Sequence, residues 1–318
     1  MLAHRGPRLS RVAAVACAAL LGFSLVGCGS PHALGLGSSA SPTSTPRTQR
    51  GIAPTPVPRP HPTICPATIA PGFTCVMEQR ITEVERYLAT QPGHIGIVLH
   101  DRVSGATWRN AKAPTVFPAA STIKLAMVLD VMLRNRAGSI QLGDSDWALI
   151  DAILSESSDT AADQLWAQFE GSSFLGRIRA FGMTSAYFSS SSAYWGFMYC
   201  SAEDLNNLMN YILNDSPAAV RSYLTSRMQR VAPIQRGGVW GAGPANHPGN
   251  KDGWEDDSGV WVVNTVGFAG SQARFTLAIM DDELGVADFH QGTNTLDQIS
   301  SLLFRGRYGP EPTVEATP

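Results

Sequence analysis

Apolar side chains recur at helical spacing between Cys75 and Gln91, with Glu78, Arg80, Glu83, Glu85 and Arg86 between them. That pattern predicts an amphipathic first helix with the charged residues on its outer face. Ile95-Gly96-Ile97-Val98-Leu99 reads as a strand, and Asp101 to Gly105 as a turn into a second strand near Ala106 to Asn110. Helical periodicity returns over Thr122–Arg136, Ser145–Leu154, Thr160–Phe169 and Ser201–Leu213. Two more strands are predicted at Val260–Gly267 and Arg274–Met280, with a last helix near Asn294–Phe304. The order is helix, hairpin, block of helices, strands and helix. It predicts one α/β unit, of the α+β kind, whose sheet is assembled from both chain ends around an inserted helical lobe.

The first residues follow a different pattern. Arg5, Arg8 and Arg11 precede the apolar run Val12 to Leu25, which ends in Val26-Gly27-Cys28. The run is shorter than the roughly 20 residues of a spanning helix and reads as a targeting segment. Leu25-Val26-Gly27-Cys28 resembles a bacterial lipobox, which implies lipidation at Cys28 and anchoring to the outer face of the cell membrane. The competing reading is an ordinary cleaved signal peptide. From Gly29 to Ile64, eight of 36 residues are proline and none is acidic or aromatic. Such a stretch buries too little apolar surface to offset its chain entropy and reads as an extended tether. The expected organisation is a signal segment at 1–28, a tether at 29–64, a folded domain at 65–308 and a disordered tail at 309–318.

Composition narrows the possibilities further. The 318 residues are 44% hydrophobic with a net charge of −2, which argues against general disorder and against nucleic acid as a partner. Of 24 basic residues only three are lysine: Lys112, Lys124 and Lys251. Arginine serves wherever charge alone is needed, so the lysines mark candidate places for an amine that can lose its proton. Five cysteines occur; Cys17 falls in the signal segment and Cys28 in the lipobox. Outside the cytoplasm a pair among Cys65, Cys75 and Cys200 is expected to oxidise. Cys65 with Cys75 is the first choice, leaving Cys200 free, or else Cys200 replaces one of them. No metal-ligand spacing occurs among the histidines and cysteines, and no cofactor motif is present, so neither a metal nor a cofactor is expected.

The candidate chemistry begins at Ser121-Thr122-Ile123-Lys124, which opens an apolar helix. Positions i and i+3 share a helix face, so an amine there can reach the serine hydroxyl. Ser157-Ser158-Asp159 lies 36 residues on, and Lys251-Asp252-Gly253-Trp254 precedes the strand at Val260. In this order the three segments resemble the Ser-x-x-Lys, Ser-Asp-Asn and Lys-Thr-Gly motifs of the class A β-lactamase and penicillin-binding serine hydrolases. The resemblance implies a β-lactamase/transpeptidase-like antiparallel sheet, acyl-enzyme chemistry and a monomer. It also implies Ser121 as nucleophile, Lys124 as its base, Ser157 as proton relay and Lys251 as a cation bonded to Ser157. The amides of Ser121 and Trp254 would form the oxyanion hole, with Asp159, Asp252 and Gly253 at the substrate. The competing reading makes Ser157 a helix N-cap and Lys251 a solvated loop residue.

Departures from the family pattern shape the expected activity. Asp159 stands where the family has asparagine, and Asp252 where it has a hydroxyl; Glu255, Asp256 and Asp257 follow. Carboxylates facing the cleft would repel an anionic substrate. The segment Met183 to Cys200 contains no acid for deacylation and is instead rich in serine and aromatics, including Tyr187, Tyr194, Trp195 and Phe197. The expectation is a serine hydrolase acting on a cell-envelope peptide or ester, with poor or no β-lactamase activity. The rivals are a degenerate envelope-binding lipoprotein and a weak β-lactamase.

Overall fold

The computed structural model describes Cys65 and residues 69–257, 259–283 and 288–305. The expected signal segment with Cys28, the tether and the tail at 309–318 lie outside the described residues. A disulfide joins Cys65 to Cys75 across a Cα–Cα distance of 5.2 Å, and Cys200 is free and buried.

Helix α1 (Cys75–Leu88) starts at Thr74, whose hydroxyl accepts from the Met77 amide. Two of its expected outer-face residues are in fact buried. The Glu78 carboxylate accepts from the Ile69 and Ala70 amides, and Arg80 donates to the Leu303 carbonyl at 3.0 Å. Their charge is spent on the ends of neighbouring segments, which a helical pattern does not reveal.

Strand β1 (His94–Asp101) turns through Gly105, at φ +77°, into β2 (Thr107–Arg109). The C-terminal part supplies β6 (Gly249–Asp257), β7 (Val260–Ala269) and β8 (Phe275–Asp282). All pairings are antiparallel in the order β2-β1-β8-β7-β6, so both chain regions build one sheet. Helices α1 and α8 (Phe289–Phe304) cover one face. Helix α6 (Ala202–Asn214) packs on the other face and carries the helical lobe.

At the lobe's centre is α2 (Ile123–Arg136), in which every residue from Ile123 to Met132 is buried. A helix apolar on all sides belongs inside, and α2 is surrounded by α3 (Asp144–Glu156), α4 (Asp159–Phe169), α5 (Phe174–Ile178) and α7 (Ala218–Met228). A second sheet, unanticipated from the sequence, has the order β3-β5-β4, from β3 (Val116–Pro118), β4 (Tyr187–Phe188) and β5 (Met198–Ser201). Strand β6 was also unanticipated, because no element was expected around Lys251 before the strand at Val260. Its sequence Gly-Asn-Lys-Asp-Gly-Trp-Glu-Asp-Asp has polar groups on both faces, so no alternation marks it as a strand.

Candidate active site

Strand β3 ends three residues before Ser121, and a 3-10 turn at Ala120–Thr122 leads into α2. The turn is tightly held. The Ala119 amide donates to the Met198 carbonyl at 2.8 Å. The Ala119 carbonyl accepts from the Thr122 hydroxyl at 2.5 Å and from Asn264 Nδ2 at 3.3 Å. Ala120 sits at φ 46°, a conformation that costs an L-residue roughly 1–2 kcal/mol. The strained turn presents Ser121, half-buried, at the positive end of the α2 dipole, which favours charge developing on its oxygen.

The edge strand β6 lies against this turn. A Cβ on Gly253 would stand 2.5 Å from the Thr122 nitrogen and 2.6 Å from that of Ser121, so only glycine fits. The strand's next amide belongs to Trp254. The Trp254 ring leaves on the opposite face and packs on Phe289 at 5.2 Å.

Ser157 is not an N-cap, and Lys251 is not a solvated loop residue. Ser157 ends α3 in the left-handed conformation, φ 60°, while Ser158 caps α4. Both lysines reach Ser157, and both are fully buried. Lys251 Nζ lies 2.7 Å from Ser157 Oγ, 3.1 Å from Gln235 Oε1 and 2.6 Å from the Asp252 carbonyl. Lys124 Nζ lies 2.7 Å from the Ser157 carbonyl and 2.5 Å from Asp159 Oδ1, with the Trp195 ring centroid 4.4 Å away. Among the described residues the Ser121 hydroxyl makes no hydrogen bond, and Lys124 is bonded to Asp159 in place of Ser121. Lys112 is exposed on the surface.

Burial shifts both amines. Lys251 is pushed down to about 7 by burial first and by the nearby Lys124 charge second, against Asp252 and Asp159. Lys124 is lowered by burial, but the Asp159 and Asp163 carboxylates oppose the shift.

Asp252 does not stand where the motif comparison put it. Strand alternation sends its carboxylate to the face away from Ser121, where it accepts from the Gly237 amide at 3.0 Å and Asn250 Nδ2 at 2.5 Å. Burial raises its carboxyl to about 7, against Thr265, Lys251, Gly237 and Asn250. Asn250 in turn accepts from Trp240 Nε1 at 2.7 Å. Gln235, Asn250 and Trp240 form a polar layer under Lys251 that the sequence did not single out. The buried amide of Asn264, inside an apolar strand, was the one detectable signal of this kind.

The segment after Met183 reaches the site through the small sheet, because β5 pairs with β3 directly before the turn of Ser121. Asp163, one turn along α4 from Asp159, accepts from Tyr194 OH at 2.5 Å and Trp195 Nε1 at 2.9 Å. These bonds fix the indole over Lys124.

The architecture is that of a β-lactamase/transpeptidase-like protein. Residues 77–145 match the model of the β-lactamase enzyme family. Over 236 residues the chain is 24% identical to the Mycobacterium tuberculosis protein named "Putative lipoprotein LppW", spanning 71% of this chain and 74% of that one. A β-lactamase structure from Chitinophaga pinensis superposes with a TM-score of 0.62 at 14% identity, covering 71% of this chain and 98% of that one. The structure of PBP-A gives a TM-score of 0.60 at 18% identity, covering 71% and 95%.

Proposed function

We propose that the protein is an exported lipoprotein whose folded domain is a serine hydrolase, acting through an acyl-enzyme on a cell-envelope peptide or ester. The observation that carries this reading is the convergence of two fully buried lysines on Ser157 beside the strained turn of Ser121. Burying an amine is costly unless its protons and lone pair have partners, so two such residues at one serine, Lys251 at its hydroxyl and Lys124 at its carbonyl, are hard to explain as packing. In this mechanism Ser121 Oγ attacks the substrate carbonyl and a buried amine takes its proton. The amides of Ser121 and Trp254 hold the oxyanion, and Ser157 passes a proton to the leaving group. Export and membrane attachment rest on the lipobox at Cys28 and on the name borne by the mycobacterial relative.

Poor or absent β-lactamase activity is part of the proposal. The segment 183–200 supplies no carboxylate to activate a deacylating water, and Asp159 stands 74% exposed at the site, where it repels an anionic substrate. A second reading, binding without turnover, is favoured by the engagement of Lys124 with Asp159. Labelling with a fluorophosphonate and with a fluorescent penicillin, compared with Ser121→Ala, separates the two. The hydrolase reading expects fluorophosphonate labelling that disappears in the variant, together with slow or undetectable nitrocefin turnover. Equal labelling of both proteins, or none of either, refutes it; rapid nitrocefin turnover refutes the claim about β-lactams.

A further inference from the structure

The partners of the two buried amines differ in kind. An ammonium has three N–H donors and no acceptor, whereas a neutral amine has two donors and one lone pair. Lys124 faces only electron-rich groups: the Asp159 carboxylate, the Ser157 carbonyl and the face of the Trp195 ring. Nothing around it donates a proton, so this environment fits an ammonium and leaves no use for a lone pair. Lys251 faces two obligate acceptors, Gln235 Oε1 and the Asp252 carbonyl, and one hydroxyl, that of Ser157. A hydroxyl can donate as well as accept. Two acceptors and one donor match a neutral amine completely.

Resting on the hydrolase reading, we propose that Lys251 is the final acceptor of the Ser121 proton by way of the Ser157 hydroxyl, and that Lys124 is a permanently charged partner of Asp159. In the step, the Ser121 O–H bond breaks as its oxygen bonds the acyl carbon, and the proton passes to Ser157 Oγ. The Ser157 proton passes to the Lys251 lone pair, giving an ammonium. When the leaving group departs, the same path returns the proton to it, and Lys251 is neutral again. The transfer requires the Ser121 and Ser157 hydroxyls to meet once substrate is seated.

The charged groups around Lys251 agree with this direction. Lys124 on α2 disfavours a second ammonium, while Asp159 on α4 and Asp252 on β6 favour one. Asp159 is bonded to Lys124, and the Asp252 carboxylate is turned to Gly237 and Asn250. The asparagine-to-aspartate departure from the family pattern thus acquires a consequence: it holds the proton on Lys124.

With only three lysines in the chain, NMR of 13C-labelled lysine side chains resolves each amine in the intact protein. Lys112→Arg identifies the surface signal, and the signal displaced most by Asp159→Asn identifies Lys124. The expected result is that Lys251 loses its proton near pH 7 while Lys124 stays charged through that range. The rate of fluorophosphonate labelling, whose fluoride leaving group needs no proton, should rise with the same midpoint. Ser157→Ala should slow labelling about 100-fold and abolish that limb of the pH profile. The proposal is overturned if Lys124 is the lysine that titrates near 7, or if Ser157→Ala labels at the wild-type rate with the wild-type profile. Absence of Ser121-dependent labelling at every pH overturns it together with the hydrolase reading; a reversed lysine assignment with intact labelling overturns this inference alone.

Discussion

Gly253 and Ala120 bring the conflict between stability and positioning down to single residues. Ala120 occupies a left-handed conformation that its own side chain disfavours, and Gly253 leaves room for the backbone of Ser121 and Thr122 to touch β6. Both adjoin Ser121. Gly253→Ala puts a methyl group against peptide nitrogens that the Ala119 and Asn264 bonds prevent from retreating. Its expected cost is about 1–3 kcal/mol in urea unfolding, with labelling of Ser121 reduced by more than the stability loss explains. Wild-type stability and labelling rate in the Gly253→Ala protein would show that the contact is slack. The helix that begins just after Ser121 was legible in the sequence because Ser121 and Lys124 sit at helical spacing at the head of an apolar run. Gln235, the side-chain acceptor of Lys251, and Asn250 beneath it were not legible, because both come from polar stretches whose burial depends on contacts made far along the chain.

At the scale of elements, the sequence conveyed the long periodic helices and the apolar strands well, since each carries its period in its own residues. Strand β6 was hidden because one of its faces serves the site and the other a buried polar layer. The sheet of β3, β4 and β5 was hidden because strands of two to four residues leave no period to read. That small sheet nonetheless decides what the aromatic segment does: the 3-10 turn leading into β5 places Trp195 over Lys124, and Asp163 on α4 holds it there. Asp163→Asn weakens two charge-assisted bonds to Tyr194 and Trp195 and is expected to cost about 1–2 kcal/mol. The Tyr194 hydroxyl, now raised by burial first and then by its bond to Asp163 and the nearby carboxylates, should ionise at lower pH in that variant. A spectrophotometric tyrosine titration identical to wild type would contradict the proposed link between α4 and the segment. Trp195→Phe keeps a ring over Lys124 but loses the bond to Asp163. It should label faster than Trp195→Ala.

Across the whole molecule, the opposite face of the sheet carries a second acidic feature apart from the serine site. Asp281 and Glu283 are both 1% exposed, with no hydrogen-bond partner for their carboxyl oxygens among the described residues beyond each other's company. Burial, then Glu283, raises Asp281 to about 9. An acid raised in the folded state contributes stability that is complete below its ordinary value of 3.8 and is lost as pH climbs towards 9. Asp281→Asn is neutral at every pH, so its stability relative to wild type should grow between pH 5 and pH 9, by at most about 1.4 kcal/mol per pH unit. Parallel curves for the two proteins would mean that Asp281 titrates normally. Lys251 acts in the other sense, since an amine lowered to about 7 gains its contribution as pH rises, which is why the comparison is made between variants. The scarcity of lysine completes the picture at this scale: two of three are sealed inside one site and the third is on the surface. The account as a whole rests on Ser121 being the atom that reacts. Its most direct test is peptide mapping by mass spectrometry after fluorophosphonate treatment of the folded protein. The expected result is a single adduct on Ser121 that denaturation beforehand prevents; an adduct on Ser157, Ser158 or scattered surface serines would contradict it.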